Sequence, residues 1–376
     1  MRLVDVSMRE SPTTGHVRIS GCIRHDCGSE DVVWVDLPEA SASDLGDCRD
    51  MWLLWLLPHA FETQCDLDLG GPVDATLLHN AHALMDIWCG WAPTRRPVGI
   101  RAESAVNPGR PAEQGRRTGL FFTAGVDSYF SLLHHDETVA ASADSRRAPI
   151  ADLIYVWGFD IPLAHAEEFE RKRAALGRIA ESHGKSLVTL ATNLRETGVR
   201  QHWGKVMHGP ALGGVALLLG NRLSDVLLSS WYLRSDRVSP WGSTAITDPL
   251  LSTARTRTHP YGMDHDRFEK IQFISRSQQA LDALHVCWRG GTSRNCGSCE
   301  KCLRTMLALE IIGVRHRAGA FPPGPLDVGR LREVWVDQVP HVRMYEQLRQ
   351  HALRAGREDI ASIIQTCLQG PGEPRP

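Results

Sequence analysis

Apolar and polar positions change their period several times along the chain, and the changes mark out its elements. From His16 to Arg24 and from Asp31 to Leu37 the two kinds alternate, with the turn-like Asp26-Cys27-Gly28-Ser29 between them, which predicts a small antiparallel pair. Leu45 to Thr63, rich in Leu and Trp at helical spacing, and Val73 to Trp91 predict two helices, and a Pro-containing strand-like run follows and ends near Glu103. Residues 104–118 carry Pro, Gly and Arg with almost no apolar side chain, the composition of a linker. This pattern predicts an N-terminal α+β domain over 1–112.

After Gly119 the period alternates between strand and helix: Leu120 to Thr123, Ser128 to His134, Leu153 to Phe159, His165 to His183, Leu187 to Thr192. A further helix around Gly209 to Asn221 and a strand over Asp225 to Ser230 continue the series. The β-α-β-α-β order predicts an α/β fold with a parallel sheet covered by helices over 119–280. Residues 281–376 end in helical pieces around Leu326 to Trp335, Val342 to Ala355 and Asp359 to Leu368, before a Gly/Pro-rich tail that should fray.

Charge narrows the function classes. Forty-two basic against 44 acidic residues leave a formal charge of -2, without the positive field that non-specific binding to nucleic acid or an anionic membrane needs. Most of the basic residues are Arg; only five are Lys, which makes each Lys worth inspecting. The apolar stretch Met51 to Pro58 is too short to cross a bilayer and the first twenty residues lack a basic-then-apolar signal pattern, so a cytoplasmic protein is expected.

The segment Phe121-Phe122-Thr123-Ala124-Gly125-Val126-Asp127-Ser128 runs from an apolar strand straight into an amphipathic helix, so the amides at the helix start point at one spot, which suits an anion. Gly125 is expected to take the positive φ of the tight turn, Ala124 to let a phosphate approach, and the Thr123 and Ser128 hydroxyls to add donors. Asp127 would repel a phosphate unless a cation lies between, which implies Mg²⁺ held jointly with it. The bland alternative is a β–α turn with Asp or Ser capping the helix.

Ten Cys are spread over the chain, and four of them, Cys287, Cys296, Cys299 and Cys302, fall within sixteen residues in the spacing C-x8-C-x2-C-x2-C. Four such thiolates can close a tetrahedral Zn²⁺ shell, whose lack of an open coordination position makes a structural role the sensible one. An iron–sulfur cluster, or a redox dithiol at Cys299 and Cys302, are the alternatives.

The Thr-Ala-Gly-Val-Asp-Ser segment resembles the Ser-Gly-Gly-X-Asp-Ser signature of PP-loop ATP pyrophosphatases, with Thr123 in place of Ser and Ala124 in place of the first Gly. The Ala fits only if its position needs no positive φ. The resemblance implies a Rossmann-like sheet of the adenine nucleotide alpha hydrolase type, with Thr123 to Ser128 gripping the ATP phosphates. It further implies attack of a substrate oxygen on the α-phosphate and release of pyrophosphate. Adenine would meet the end of the second strand, at Trp157, Gly158 and Phe159, with Asn193 at the same sheet edge. A zinc knuckle after such a domain is similar to the 7-cyano-7-deazaguanine synthase branch, which converts a carboxylate through an amide to a nitrile with ATP and ammonia. The likeness covers 119–310, and the region before it lies outside that pattern.

Ser230, Trp231, Tyr232 and Trp241 follow the strand at 225–230 and are candidates to wall a planar or apolar substrate, while Arg255, Arg257 and Lys270 are candidates to neutralise the triphosphate. Asp127, Ser128 and Lys270 are the expected catalytic groups. Together these features predict an ATP-dependent ligase using Mg²⁺ and a structural Zn²⁺ that joins a small-molecule carboxylate to ammonia or an amine. A homodimer stays open. Competing readings are sulfur transfer to a nucleobase or carbonyl, and a zinc-knuckle nucleic-acid or protein-binding module with an inactive nucleotide site.

Overall fold

The structure, a computed structural model, describes residues 1–46, 48–105, 117–142, 148–235, 240–287, 294–327, 330–331 and 339–369. Most of the expected linker, part of the helix expected at 326–335 and the terminal tail lie outside the described residues.

Ten strands form one mixed, mostly parallel sheet flanked by helices, an α/β architecture. In chain order the strands are β1 (Arg2–Glu10), β2 (His16–Arg24), β3 (Glu30–Pro38), β4 (Leu67–Asp74), β5 (Ile100–Ala105), β6 (Thr118–Phe121), β7 (Ile150–Trp157), β8 (Ser186–Thr192), β9 (Asp225–Ser229) and β10 (Arg257–Tyr261). Across the sheet they lie β10-β9-β6-β7-β8-β3-β2-β1-β4-β5. The first five in that order are mutually parallel. Strand β3 then pairs antiparallel with β8, so the N-terminal strands extend the same sheet.

The helices are α1 (Cys48–Thr63), α2 (Ala75–Trp91), α3 (Val126–Ala140), α4 (Ala166–Ser182), α5 (His208–Leu218), α6 (Arg267–Ile274), α7 (Gln278–Ala283), α8 (Glu300–Ile312), α9 (Val339–Arg354) and α10 (Glu358–Gln369). Among the described residues no helix is long and apolar enough to cross a membrane.

Two cores sit on the two faces of the sheet. Alternation along β7 sends Ile154 and Val156 to one and Leu153 and Tyr155 to the other, the period of two that a doubly covered strand requires. On the first face α1 packs against α5. Met51 to Leu57 are all buried, so this central stretch of α1 is apolar all round, as its enclosure on every side requires. The two helices come so close that a Cβ on Gly214 would stand 2.3 Å from the Trp55 ring, whose Nε1 donates to the Ala211 carbonyl at 3.1 Å. On the second face lie α3, α4, α6 to α8 and the C-terminal helices, with Tyr345, Leu348 and Ile364 closing the core.

The order β10-β9-β6-β7-β8 reverses direction at β6, because β7 lies to one side of it and β9 to the other. In open α/β sheets the crevice at the carboxyl ends of the strands flanking such a reversal is where ligands bind. The segments that reach this crevice are 122–128 after β6 and 230–232 after β9.

Candidate functional site

The turn after β6 differs from the sequence expectation in one respect that matters. Ala124, not Gly125, adopts the left-handed conformation, with φ +56°. Gly125 is extended at φ -77°, ψ 169° and is the N-cap of α3, and no side chain caps that helix. A non-glycine residue in the left-handed region costs about 1–2 kcal/mol, and such strain persists only where the surroundings impose it. The condition under which Ala fits the PP-loop signature in place of the first Gly, a position without positive φ, is therefore not met, and Ala124 counts against that resemblance. The Ser128 hydroxyl, expected to face a ligand, donates instead to the Gly125 carbonyl at 3.1 Å and closes the turn. Val126 is wholly buried in the core, which leaves its amide as the part that can face the crevice. Thr123 sits at the turn with its Oγ1 3.3 Å from where a Cβ on Gly125 would be.

Asp127 opens α3 and meets two cations from the start of α6. Arg267 Nη1 donates to its Oδ2 at 2.5 Å, and Lys270 Nζ stands 3.3 Å from Oδ1. Burial pushes the Asp127 carboxyl up, but the Arg267 and Lys270 charges overcome this and hold it below its ordinary range. Protein cations thus stand where the sequence reading placed Mg²⁺, and Asp127 as arranged offers no uncommitted carboxylate to a metal. Lys270 is 1% exposed, and it also donates to the Ser230 carbonyl at 2.5 Å, which ties the end of β9 to the turn after β6. Burial pulls its ammonium down against the Asp127 charge.

Arg304 on α8 adds to the positive field. It is buried, pairs with Glu300 at 3.2 Å and feels both Arg267 and Asp127. Arg267, Lys270 and Arg304 stand with Asp127, Glu300 and Asp266 beside an uncapped helix N-terminus. The crevice can therefore bind an anion. A cleft of about 1020 Å³ opens next to Ala124, walled by Lys172 and Arg178 of α4 and by His285 and Asn295. Burial brings the Lys172 amine down to about 8.

The other expected residues divide. Trp231 and Tyr232 lie 3.8 Å apart between ring centroids, with Trp241 edge-on to Trp231 at 6.5 Å, so these three are brought together beside Ser230. The Ser230 hydroxyl closes a local turn with Tyr232 rather than facing outward. Trp157 stacks on Phe169 at 4.7 Å and 7°, and Phe159 is buried against Trp203. Gly158 is required by the protein itself, since at φ +98° a Cβ there would stand 1.9 Å from the Thr192 carbonyl.

Two expectations are corrected outright. Asn193 is committed to the backbone of β3: its Oδ1 accepts from the Trp34 amide and its Nδ2 donates to the Val32 carbonyl, both at 2.8 Å. It staples the N-terminal strands to β8, which commits one N–H and one lone pair of its amide to the protein's own backbone. Arg255 and Arg257 lie at the start of β10, where Arg257 is in register with Asp225, the first residue of β9. Because β10, β9 and β6 run parallel, that is the opposite end of the sheet from the turn at 122–128, so neither Arg reaches the crevice.

The four cysteines come together as their spacing predicts. All four Sγ atoms lie within 4.8 Å of one another, and the Cys287–Cys299 and Cys296–Cys302 pairs are 3.9 Å apart. A tetrahedron with metal–sulfur bonds of about 2.3 Å has edges of about 3.8 Å, so the cluster could bind a metal ion such as zinc. Burial pushes the Cys296 thiol up, but the Ser298 hydroxyl at 3.5 Å and the Ser298 and Cys299 amides at 3.4 and 3.2 Å donate to its Sγ and bring it down to about 6. Gly297, at φ +69°, makes the turn between them. Among the described residues this is the one group of three or more His, Cys, Asp or Glu side chains placed to share a metal.

Sequence reasoning missed Arg267, Arg304, His285 and Asn295. Arg267 was within reach: Asp266 and Glu269 form a reciprocal cap that starts α6 and puts Arg267 and Lys270 three apart on one face. No protein-family model, no curated protein and no solved structure matches this chain, so its function is argued from the geometry of the crevice and the cysteine cluster.

Proposed function

We propose that the chain is an ATP-dependent enzyme with PP-loop chemistry on a Rossmann-like sheet of the adenine nucleotide alpha hydrolase type. It adenylates a small-molecule carboxylate, releases pyrophosphate and joins the activated acyl group to ammonia or an amine. The observation that carries the reading is the uncapped start of α3, which opens into the crevice at the strand-order reversal beside Arg267 and Lys270.

The nucleotide arrives as its Mg²⁺ complex, and the chain's own groups hold and orient it. The amides of residues 126–128 receive the β- and γ-phosphates, and the buried Lys270 ammonium adds its charge from behind Asp127. A carboxylate oxygen of the acceptor then attacks the α-phosphorus in line, and the bond to the bridging oxygen of the β-phosphate breaks. Charge develops on the departing pyrophosphate, next to Arg267 and Lys270, which is where preorganised cations lower a barrier most. Trp231, Tyr232 and Trp241 form the apolar wall against which the acyl adenylate is kept from water until an amine nitrogen attacks its carbonyl carbon and AMP leaves. The cysteine cluster, closed by four thiolates, holds structure and takes no part in the chemistry.

Isotope transfer tests the carboxylate step. With both acceptor carboxylate oxygens supplied as ¹⁸O, AMP should leave carrying one label; unlabelled AMP would remove the acyl adenylate from the scheme.

A further inference from the structure

The chain that enters the cysteine cluster also grips the anion-binding turn. Between the end of α7 and Cys287 it passes beside that turn, where the His285 amide donates to the Ala124 carbonyl at 2.8 Å. The His285 carbonyl lies 3.8 Å from where a Cβ on Gly125 would stand. Cys287, two residues on, is a member of the cluster. Asn295, one residue before Cys296, fixes this short segment from the other side. Its Oδ1 accepts from the Val286 and Cys287 amides at 2.8 and 3.1 Å, and its Nδ2 donates to the Leu284 and Ala320 carbonyls at 2.8 and 2.9 Å. The side chain is buried, with the residue 4% exposed, so a displaced 284–287 segment would strand a desolvated amide.

His285 is thus held in place by the thiolate that follows it and by an amide that reaches back from the next thiolate. Ala124, which it holds in turn, is the residue whose conformation needs holding. We infer that metal binding at the four cysteines keeps Ala124 left-handed and the α3 amides aimed at one point, so that occupancy of the metal site sets the affinity of the anion site. Asn295 is the positioning residue between the two. This rests on the phosphate reading of the turn.

The test uses the full chain and inorganic pyrophosphate as the probe, by calorimetry, with metal content measured on the same samples. Chelating the metal from the native protein should weaken pyrophosphate binding about tenfold, because the turn must then supply the unfavourable conformation by itself. In A124G, where glycine adopts that conformation freely, the same treatment should cost about twofold or less. Asn295→Ala keeps all four thiolates, so it should retain metal yet lose about the same tenfold, with recovery in the double variant A124G/N295A. This arm decides the matter if the metal-free protein unfolds. Equal losses with Ala or Gly at position 124, or no loss in either arm, would overturn the coupling. A metal-loaded native protein that binds no pyrophosphate would instead overturn the phosphate reading beneath it.

Discussion

Asp127→Asn is expected to lower turnover by about 10²–10³-fold, the range seen when one group that organises charge stabilisation is removed. The carboxylate orients the two cations beside the leaving pyrophosphate, and an amide of the same shape cannot hold Arg267 and Lys270 against each other. The variant should also be less stable by about 3 kcal/mol, the low end of the range for breaking a buried pair, since the Asp127 side chain keeps 20% exposure while Lys270 keeps almost none. The sign with pH follows from the depressed carboxyl. The stabilisation is fully present above the ordinary Asp value of about 3.9 and is lost as the pH falls through the lower folded value. Urea unfolding of the native protein should show that acid loss, and Asp127→Asn should show a smaller one, since other depressed carboxyls such as Asp225 and Asp359 remain. Native-like turnover in the variant would contradict the role given to the pair.

Cys299→Ser should reduce metal content from one ion per chain to none and lower unfolding free energy by about 4 kcal/mol, part of the ~10–16 kcal/mol apparent binding energy of structural zinc. Only part is expected because a packed core lies beneath the cluster: Cys299 and Cys302 sit with Leu303, Leu307 and Phe321, which keep their contacts. Cys27→Ser, at an exposed thiol far along the chain from the cluster, should change neither quantity. Elemental analysis together with thermal unfolding reads both. Retention of a full metal complement in Cys299→Ser would mean that the four thiolates are not the ligand set.

What could be read along the chain was whatever a short stretch encodes by itself. The succession β6-α3-β7-α4-β8 was legible because apolar runs of strand length are separated by amphipathic ones, and the cluster was legible because knuckle spacing is a local property. Strand β1 was hidden by Arg2, Asp5, Arg9 and Glu10 on a half-exposed strand with a bulge. Strand β10, with Pro260 in it, reads as loop because an edge strand tolerates a residue without an amide donor. That loss carried over to the site: without β10, nothing told which end of the sheet Arg255 and Arg257 occupy. Asn193 misled for a similar reason, since its two partners on β3 are about 160 residues away. Ala124 is the subtler case. A residue type reports what a position prefers, whereas the strain it bears depends on His285, a contact set only by the tertiary fold.

The identity of the nucleotide product shows which phosphate of ATP is attacked. Purified protein would be incubated with Mg²⁺-ATP, ammonium and a pool of carboxylates, and the nucleotides separated by mass spectrometry. Attack at the α-phosphate should give AMP and pyrophosphate in equal amounts, and only when an acceptor is present. ADP with inorganic phosphate would place the cleavage at the γ-phosphate and contradict it.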